Sequence, residues 1–201
     1  GLLNMREKIN EDYLENRHSY VDADKVDVLE NNAGVVEGSA DHYNGMMSFI
    51  NSNNLSNDAA YDSVCKMMDV INFMEYQIAQ IYFDNTDWPG NNVKYWRPQT
   101  PSGKWRWLIY DTDFGFGLYN VENYKNNTLD FALETNGPNW PNPPWSTFLL
   151  RSLLNNPAFK TEFINRFADR MNRDFEAARV NHFIDSLKSN IADEIDRKSV
   201  V

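Results

Sequence analysis

Apolar residues recur every three or four positions from Met67 through Ile71, Met74 and Ile78 to Ile81, the spacing of one face of an α-helix. The run stops at Asp84-Asn85-Thr86-Asp87-Trp88-Pro89-Gly90, and because Pro89 and Gly90 do not continue a helix, a buried helix is predicted to deliver a polar loop. Two strand-like runs follow, residues 93–97 and 105–110, parted by the turn residues Pro98, Thr100, Pro101, Ser102 and Gly103; this is the signature of a β-hairpin. In the second run the alternation puts Trp105, Trp107 and Ile109 on one face and Arg106, Leu108 and Tyr110 on the other.

Upstream, residues 10–17 read as a short helix or turn and residues 26–29 as a short strand. Gly34 to Gly38 break the pattern, Ser39 is the expected N-cap of a helix reaching about Ile50, and residues 51–57 form a loop. Downstream, residues 118–145 are irregular, rich in Asn, Pro and Trp, and too polar for a core element, so they are expected to cover or border a site. From Ser146 the chain turns helical. Pro157 marks a helix start, Phe159, Phe163 and Phe167 follow at i, i+4 spacing, and Phe183, Leu187, Ile191 and Ile195 define a last amphipathic helix; both stripes read as core.

The length of 201 residues suits one domain, and 42% hydrophobic with 14% aromatic residues suffices for a core. A net charge of -10 with no basic run argues against a nucleic-acid partner or an anionic membrane footprint. Cys65 is the single cysteine, which excludes an intrachain disulfide and any multi-cysteine zinc site. No apolar stretch reaches the length of a membrane span. His18, His42 and His182 are scattered without ligand spacing and read as structural or exposed. The abrupt start, with Leu2, Leu3, Met5 and Ile9 already in an extended-looking segment, reads as a piece cut from a longer protein.

The chemistry lies in an order of three elements. Phosphoryl transfer needs a carboxylate that positions the attacking hydroxyl and oxygen ligands that hold a metal ion against nucleotide phosphates. Kinases supply a catalytic-loop Asp, an Asn five positions on, a hairpin, and then a metal-gripping Asp. Here Asp87, Asn92, the hairpin and Asp111 stand in that order, the last within Asp111-Thr112-Asp113-Phe114-Gly115-Phe116-Gly117. Asp87 and Asn92 alone would be ordinary turn chemistry; the hairpin and the terminal Asp make the set specific.

Residues 85–92, Gly103-Lys104-Trp105-Arg106-Trp107 and the D-x-D-x-x-F-G pattern of residues 111–117 resemble the core motifs of the CotH (spore-coat protein H) kinase family. Phe148-Leu149-Leu150-Arg151, Asn156-Pro157-Ala158-Phe159 and Phe163-Ile164-Asn165-Arg166-Phe167 resemble its helical C-terminal part. The resemblance implies an α+β, predominantly helical fold: a protein-kinase-like catalytic lobe with a small β-hairpin and most of the N-terminal lobe missing. Residues 1–201 would be a single domain, with 1–38 a lobe remnant and linker and 39–201 the helical lobe. It further implies ATP with Mg2+, or Mn2+ in its place, and transfer to Ser or Thr hydroxyls of a protein substrate. Asp87 would be the catalytic carboxylate, Asn92 and Asp111 would hold nucleotide-bound metal, and Asp113 would be a second ligand or lie just behind.

Asp113-Phe114-Gly115 spells the kinase D-F-G literally, whereas the family pattern places its Phe-Gly at Phe116-Gly117. Asp111 is preferred because it directly follows the strand. Trp105 is a candidate adenine platform, its alternative being hairpin packing. Arg6, Glu7 and Lys8 look like the trailing end of the missing lobe, where a Glu or Lys faces the nucleotide unless it is plain surface charge. No G-x-G-x-x-G loop and no separate phosphate-binding Lys strand are evident. An exported, cell-surface or spore-coat setting follows from the resemblance. Two other readings stand beside the kinase: a catalytically degenerate coat or adhesion protein, and a glycan-binding or glycan-active module using the six tryptophans as platforms.

Overall fold

A computed structural model describes residues 7–193. Helices dominate: eight α-helices accompany one four-stranded antiparallel sheet among these residues, in keeping with the predominantly helical α+β expectation. Leu2, Leu3, Met5, Arg6 and Ile195, singled out in the sequence, lie outside them.

The sheet contains more than the expected hairpin. Strands β1 (Val26–Glu30), β2 (Gly34–Glu37), β3 (Lys94–Pro98) and β4 (Arg106–Leu108) lie in the order β2-β1-β3-β4. The Gly34 to Gly38 stretch is therefore a strand and not a break. Its tight entry is built by Asn31 and Ala33, both at positive φ. Gly38 ends it at φ +70°, where a Cβ would lie 2.4 Å from the Val26 carbonyl oxygen, so glycine is required twice over.

β1 is buried along nearly its whole length because both faces of the sheet are covered. Leu29, Tyr95, Trp105 and Trp107 join the main helical core, while Val26, Val28 and Trp96 face a smaller cluster closed by Leu14 of α1 (Glu11–Arg17) and by Val21. The alternation read for 105–108 thus holds. Ile109, beyond the end of β4, is exposed instead. Asp27 and Arg97 form a buried ion pair at 2.8 Å across β1 and β3, with Gln99 and the Ser39 amide donating to the same carboxylate. Those added donors are what makes such a burial tolerable.

The long periodic run divides in two. α3 (Asp58–Met67) ends before α4 (Val70–Phe83), so Met67 belongs to the earlier helix. The break has a cause: the Trp105 amide donates to the Met67 carbonyl and the Asp69 amide donates to the Trp105 carbonyl, which stitches the chain to the hairpin. Asp69 then caps α4 by accepting from the Asn72 amide. Asn72 in turn clamps β4, donating to the Trp107 carbonyl at 3.2 Å and accepting from the Trp107 amide at 2.6 Å. Helix and hairpin are thereby held in one register.

α2 (Asp41–Ser52) has Ala40 at its N-cap; Ser39 lies one residue earlier and accepts from the Asp41 amide. α5 (Thr128–Phe131) is a single turn within the irregular stretch, and α6 (Pro144–Leu153) begins slightly before the predicted onset. α7 (Pro157–Arg173) starts at Pro157, capped by buried Asn156, and its Phe159 and Phe163 enter the core as expected. Glu75 of α4 accepts from both Arg166 and Arg170, tying α7 to the central helix. α8 (Ala177–Ser189) departs from expectation: it buries no residue, and Phe183 and Leu187 are exposed. Its apolar stripe finds no partner among the described elements, so helical periodicity correctly forecast the helix but not its burial.

Candidate active site

α4 delivers the loop that carries Asp87, and the helix ends because Asp84 adopts a left-handed conformation (φ 49°, ψ 50°). Its carboxylate accepts from Thr128 Oγ1 at 2.6 Å and from Asn126, so the loop is anchored to the irregular stretch that was expected to border a site. The Gly90 amide also donates to the Pro141 carbonyl of that stretch at 2.6 Å. A Cβ at Gly90 would lie 2.3 Å from Pro143 Cδ, so no larger residue fits that approach.

Inside the loop a buried polar chain runs from the helix core to the catalytic candidate. Tyr76 and Gln80 are in contact, Asn85 donates to Gln80 Oε1 at 2.9 Å, and the Asp87 amide donates to Asn85 Oδ1 at 3.2 Å. Gln80 and Asn85 are fully buried. Such a chain has to be satisfied throughout, which fixes the backbone of residue 87. Gln80 was not singled out from the sequence, and Asn85 only as part of the 85–92 motif; a glutamine set between Ile78 and Ile81 of the apolar stripe was the available signal.

The Asp87 carboxylate, only 6% exposed, accepts from Asn92 Nδ2 at 2.7 Å and from Asn91 Nδ2 at 2.9 and 3.0 Å. Asp87 and Asn92 are therefore in direct contact. Asn92 has φ 53°, which swings its amide back over the loop. With its NH2 group turned to Asp87, its carbonyl oxygen is the atom left for a metal or a phosphate-bound water.

Asp111 and Asp113 lie beyond β4 and line a cleft of about 540 Å³ together with Tyr110, Lys94, Glu7 and Lys8. Glu7 and Lys8 thus border the cleft, with Glu7 also paired to Arg17. The loop after Asp111 is bound to the end of α4, since the Phe116 amide donates to the Phe83 carbonyl at 2.7 Å and Thr86 donates to the Phe114 carbonyl. Neither Asp87 nor Asn92 lines this cleft. Burial first, and then the negative charge of Glu30, Asp111 and Asp87, pushes the Tyr110 phenol up to about 12.

Trp105 does not fit the adenine role. It is fully buried, its indole N–H donates to His42 Nδ1 at 3.0 Å, and Tyr43 and Tyr95 pack edge-on against it. It is a core residue that also explains His42, whose imidazole is structural. The tryptophan platforms of a glycan module are largely absent too, since Trp88, Trp96, Trp105 and Trp107 are all core.

Hard oxygen donors are what Mg2+ prefers, and Asp111, Asp113 and Asn92 supply them. No group of three or more His, Cys, Asp or Glu side chains is arranged as a metal site among the described residues.

The family model for CotH kinase protein matches residues 1–201. The chain belongs to the CotH kinase family. Comparison with curated proteins and with solved structures gave no match. Membership brings a kinase-type function to this CotH kinase chain, and no helix among the described residues is long and apolar enough to cross a membrane.

Proposed function

We propose that this CotH kinase chain belongs to an enzyme that transfers the terminal phosphate of ATP to Ser or Thr hydroxyls of a protein. The observation that supports the reading is the contact of Asp87 with Asn92 in the loop after α4, with Asp111 and Asp113 following β4 and lining a cleft. Asp87 orients the acceptor hydroxyl and takes its proton, a role for which its buried, amide-held carboxylate is preorganised. Asn92 and Asp111 hold Mg2+, with Asp113 beside them; the ion, when bound, neutralises charge on the phosphates. Asp111 is preferred as the primary ligand because it lies nearer than Asp113 to the end of β4, a rigid support, and lines the cleft. The protein-kinase-like lobe, the protein substrate and an exported or coat-associated setting rest on the same family resemblance.

Asp111→Ala should abolish magnesium-dependent nucleotide binding in calorimetry, and an unchanged affinity would reject the metal assignment. Asp87→Asn should leave nucleotide affinity in place while phosphotransfer from radiolabelled ATP is lost.

A further inference from the structure

Lys94 opens β3, two residues after Asn92. Its side chain is only 13% exposed. Lysines this covered are ordinarily held by close partners, yet here each contact is long. Nζ lies 3.6 Å from Glu30 Oε2, 3.5 Å from the Ile9 carbonyl oxygen, and 5.1 Å from the centroid of the Tyr110 ring. Glu30 stands opposite Lys94 in the β1/β3 register, which makes the pair a cross-strand neighbour by construction. Lys94 lines the same cleft as Asp111 and Asp113.

A cleft walled by carboxylates alone would repel a triphosphate, so a phosphate site there needs a fixed cation from the protein as well as its metal. Lys94 is covered and rooted in a central strand, and its long contacts leave the ammonium free to improve its bonding. Phosphate oxygens at normal charge-assisted distances, about 2.7–2.9 Å, would be better partners than the present ones. Lys8 lines the cleft too, but it is exposed and precedes the first helix, so it lacks the rigid support of a strand.

Resting on the kinase reading, we propose that Lys94 is the phosphate-contacting residue of this cleft, its ammonium leaving Glu30 for the phosphate oxygens of bound nucleotide. The site thereby has its phosphate lysine on the strand that follows the catalytic loop.

The test is calorimetry of the 201-residue chain with the non-hydrolysable analogue AMP-PNP and Mg2+, comparing wild type with Lys94→Met, Lys94→Arg and Glu30→Gln. Lys94→Met should weaken binding roughly 10- to 100-fold, the loss of one charge-assisted hydrogen bond. Lys94→Arg should retain most of the affinity, and Glu30→Gln should match or exceed wild type because a competitor for the ammonium is gone. Equal losses in Lys94→Met and Glu30→Gln would overturn the proposal in favour of a purely structural ion pair. Undiminished binding in Lys94→Met would overturn it outright. Absence of AMP-PNP binding by wild type would overturn the kinase reading and this role with it. Should Lys94→Met fail to fold by circular dichroism, Lys94→Gln carries the same comparison.

Discussion

Asn85→Leu is a sharp probe of how the core of this CotH kinase chain supports its loop. The side chain is fully buried, and leucine nearly conserves its volume, so the perturbation is the loss of two hydrogen bonds without a large cavity. The Gln80 Oε1 acceptor and the Asp87 amide lose their partner together. A buried polar group left unsatisfied costs about 1–3 kcal/mol, so the two come to roughly 2–6 kcal/mol, with about 3 kcal/mol as the central expectation. With a urea m-value near 2 kcal/mol/M, the midpoint should fall by about 1.5 M at unchanged m.

The double variant Gln80→Met/Asn85→Leu sharpens the test, because removing both members of a buried bond costs less than orphaning one of them. Its midpoint should lie well above the additive value, giving a coupling of about 1 kcal/mol or more in a double-mutant cycle. A single-variant shift below about 0.3 M, or strict additivity in the cycle, would refute the claim that this polar chain fixes the backbone of Asp87.

Gly90→Ala should destabilise the fold by about 1–3 kcal/mol in the same urea assay and lower phosphotransfer further, since the added Cβ meets Pro143 Cδ at 2.3 Å and the Pro141 carbonyl oxygen at 2.5 Å. Trp105→Phe should leave AMP-PNP affinity unchanged by calorimetry while costing about 1–2 kcal/mol of stability, because the indole is a core group bonded to His42. His42 gives a pH dependence with a defined sign. Its pKa is lowered from 6.5, chiefly by burial and then by Arg97. The unfolded chain therefore binds the proton more readily, and stability is complete above 6.5 and declines as pH falls through the folded value. Urea midpoints measured between about pH 8 and pH 5 should show this decline, and His42→Gln should flatten it.

Local signals were legible where the responsible contacts are themselves local. The turn at Pro89-Gly90, the hairpin and the Pro157 start of α7 each depend on neighbours in the chain, and each stands as read. Long-range bonds decided the rest. The division between α3 and α4 is set by Trp105, and the register of α4 by the Asn72 clamp on Trp107, which no periodicity encodes. β2 was missed because its partner β1 supplies the pairing that Gly34 and Gly38 obscure. For Trp105 the alternation that places it beside Trp107 favours the hairpin-packing alternative, with the two buried together.

Backbone conformation separates the acidic residues of the site in a way composition could not. Asp84, Asn92 and Asp111 all take positive φ, at 49°, 53° and 50°, and each marks a point where the chain must turn sharply. Asn and Asp tolerate that region better than other side chains, so the turn alone explains why residues of this type recur there. It does not explain which positions carry a charge. At Asp84 the carboxylate is occupied by Thr128 and Asn126, and at position 92 a neutral amide is needed to donate to Asp87. The Asp111 carboxylate instead lines the cleft beside Lys94 and Asp113. The same local device therefore serves as a helix stop at 84, as a clamp at 92, and at 111 as the means of presenting a negative charge to whatever enters.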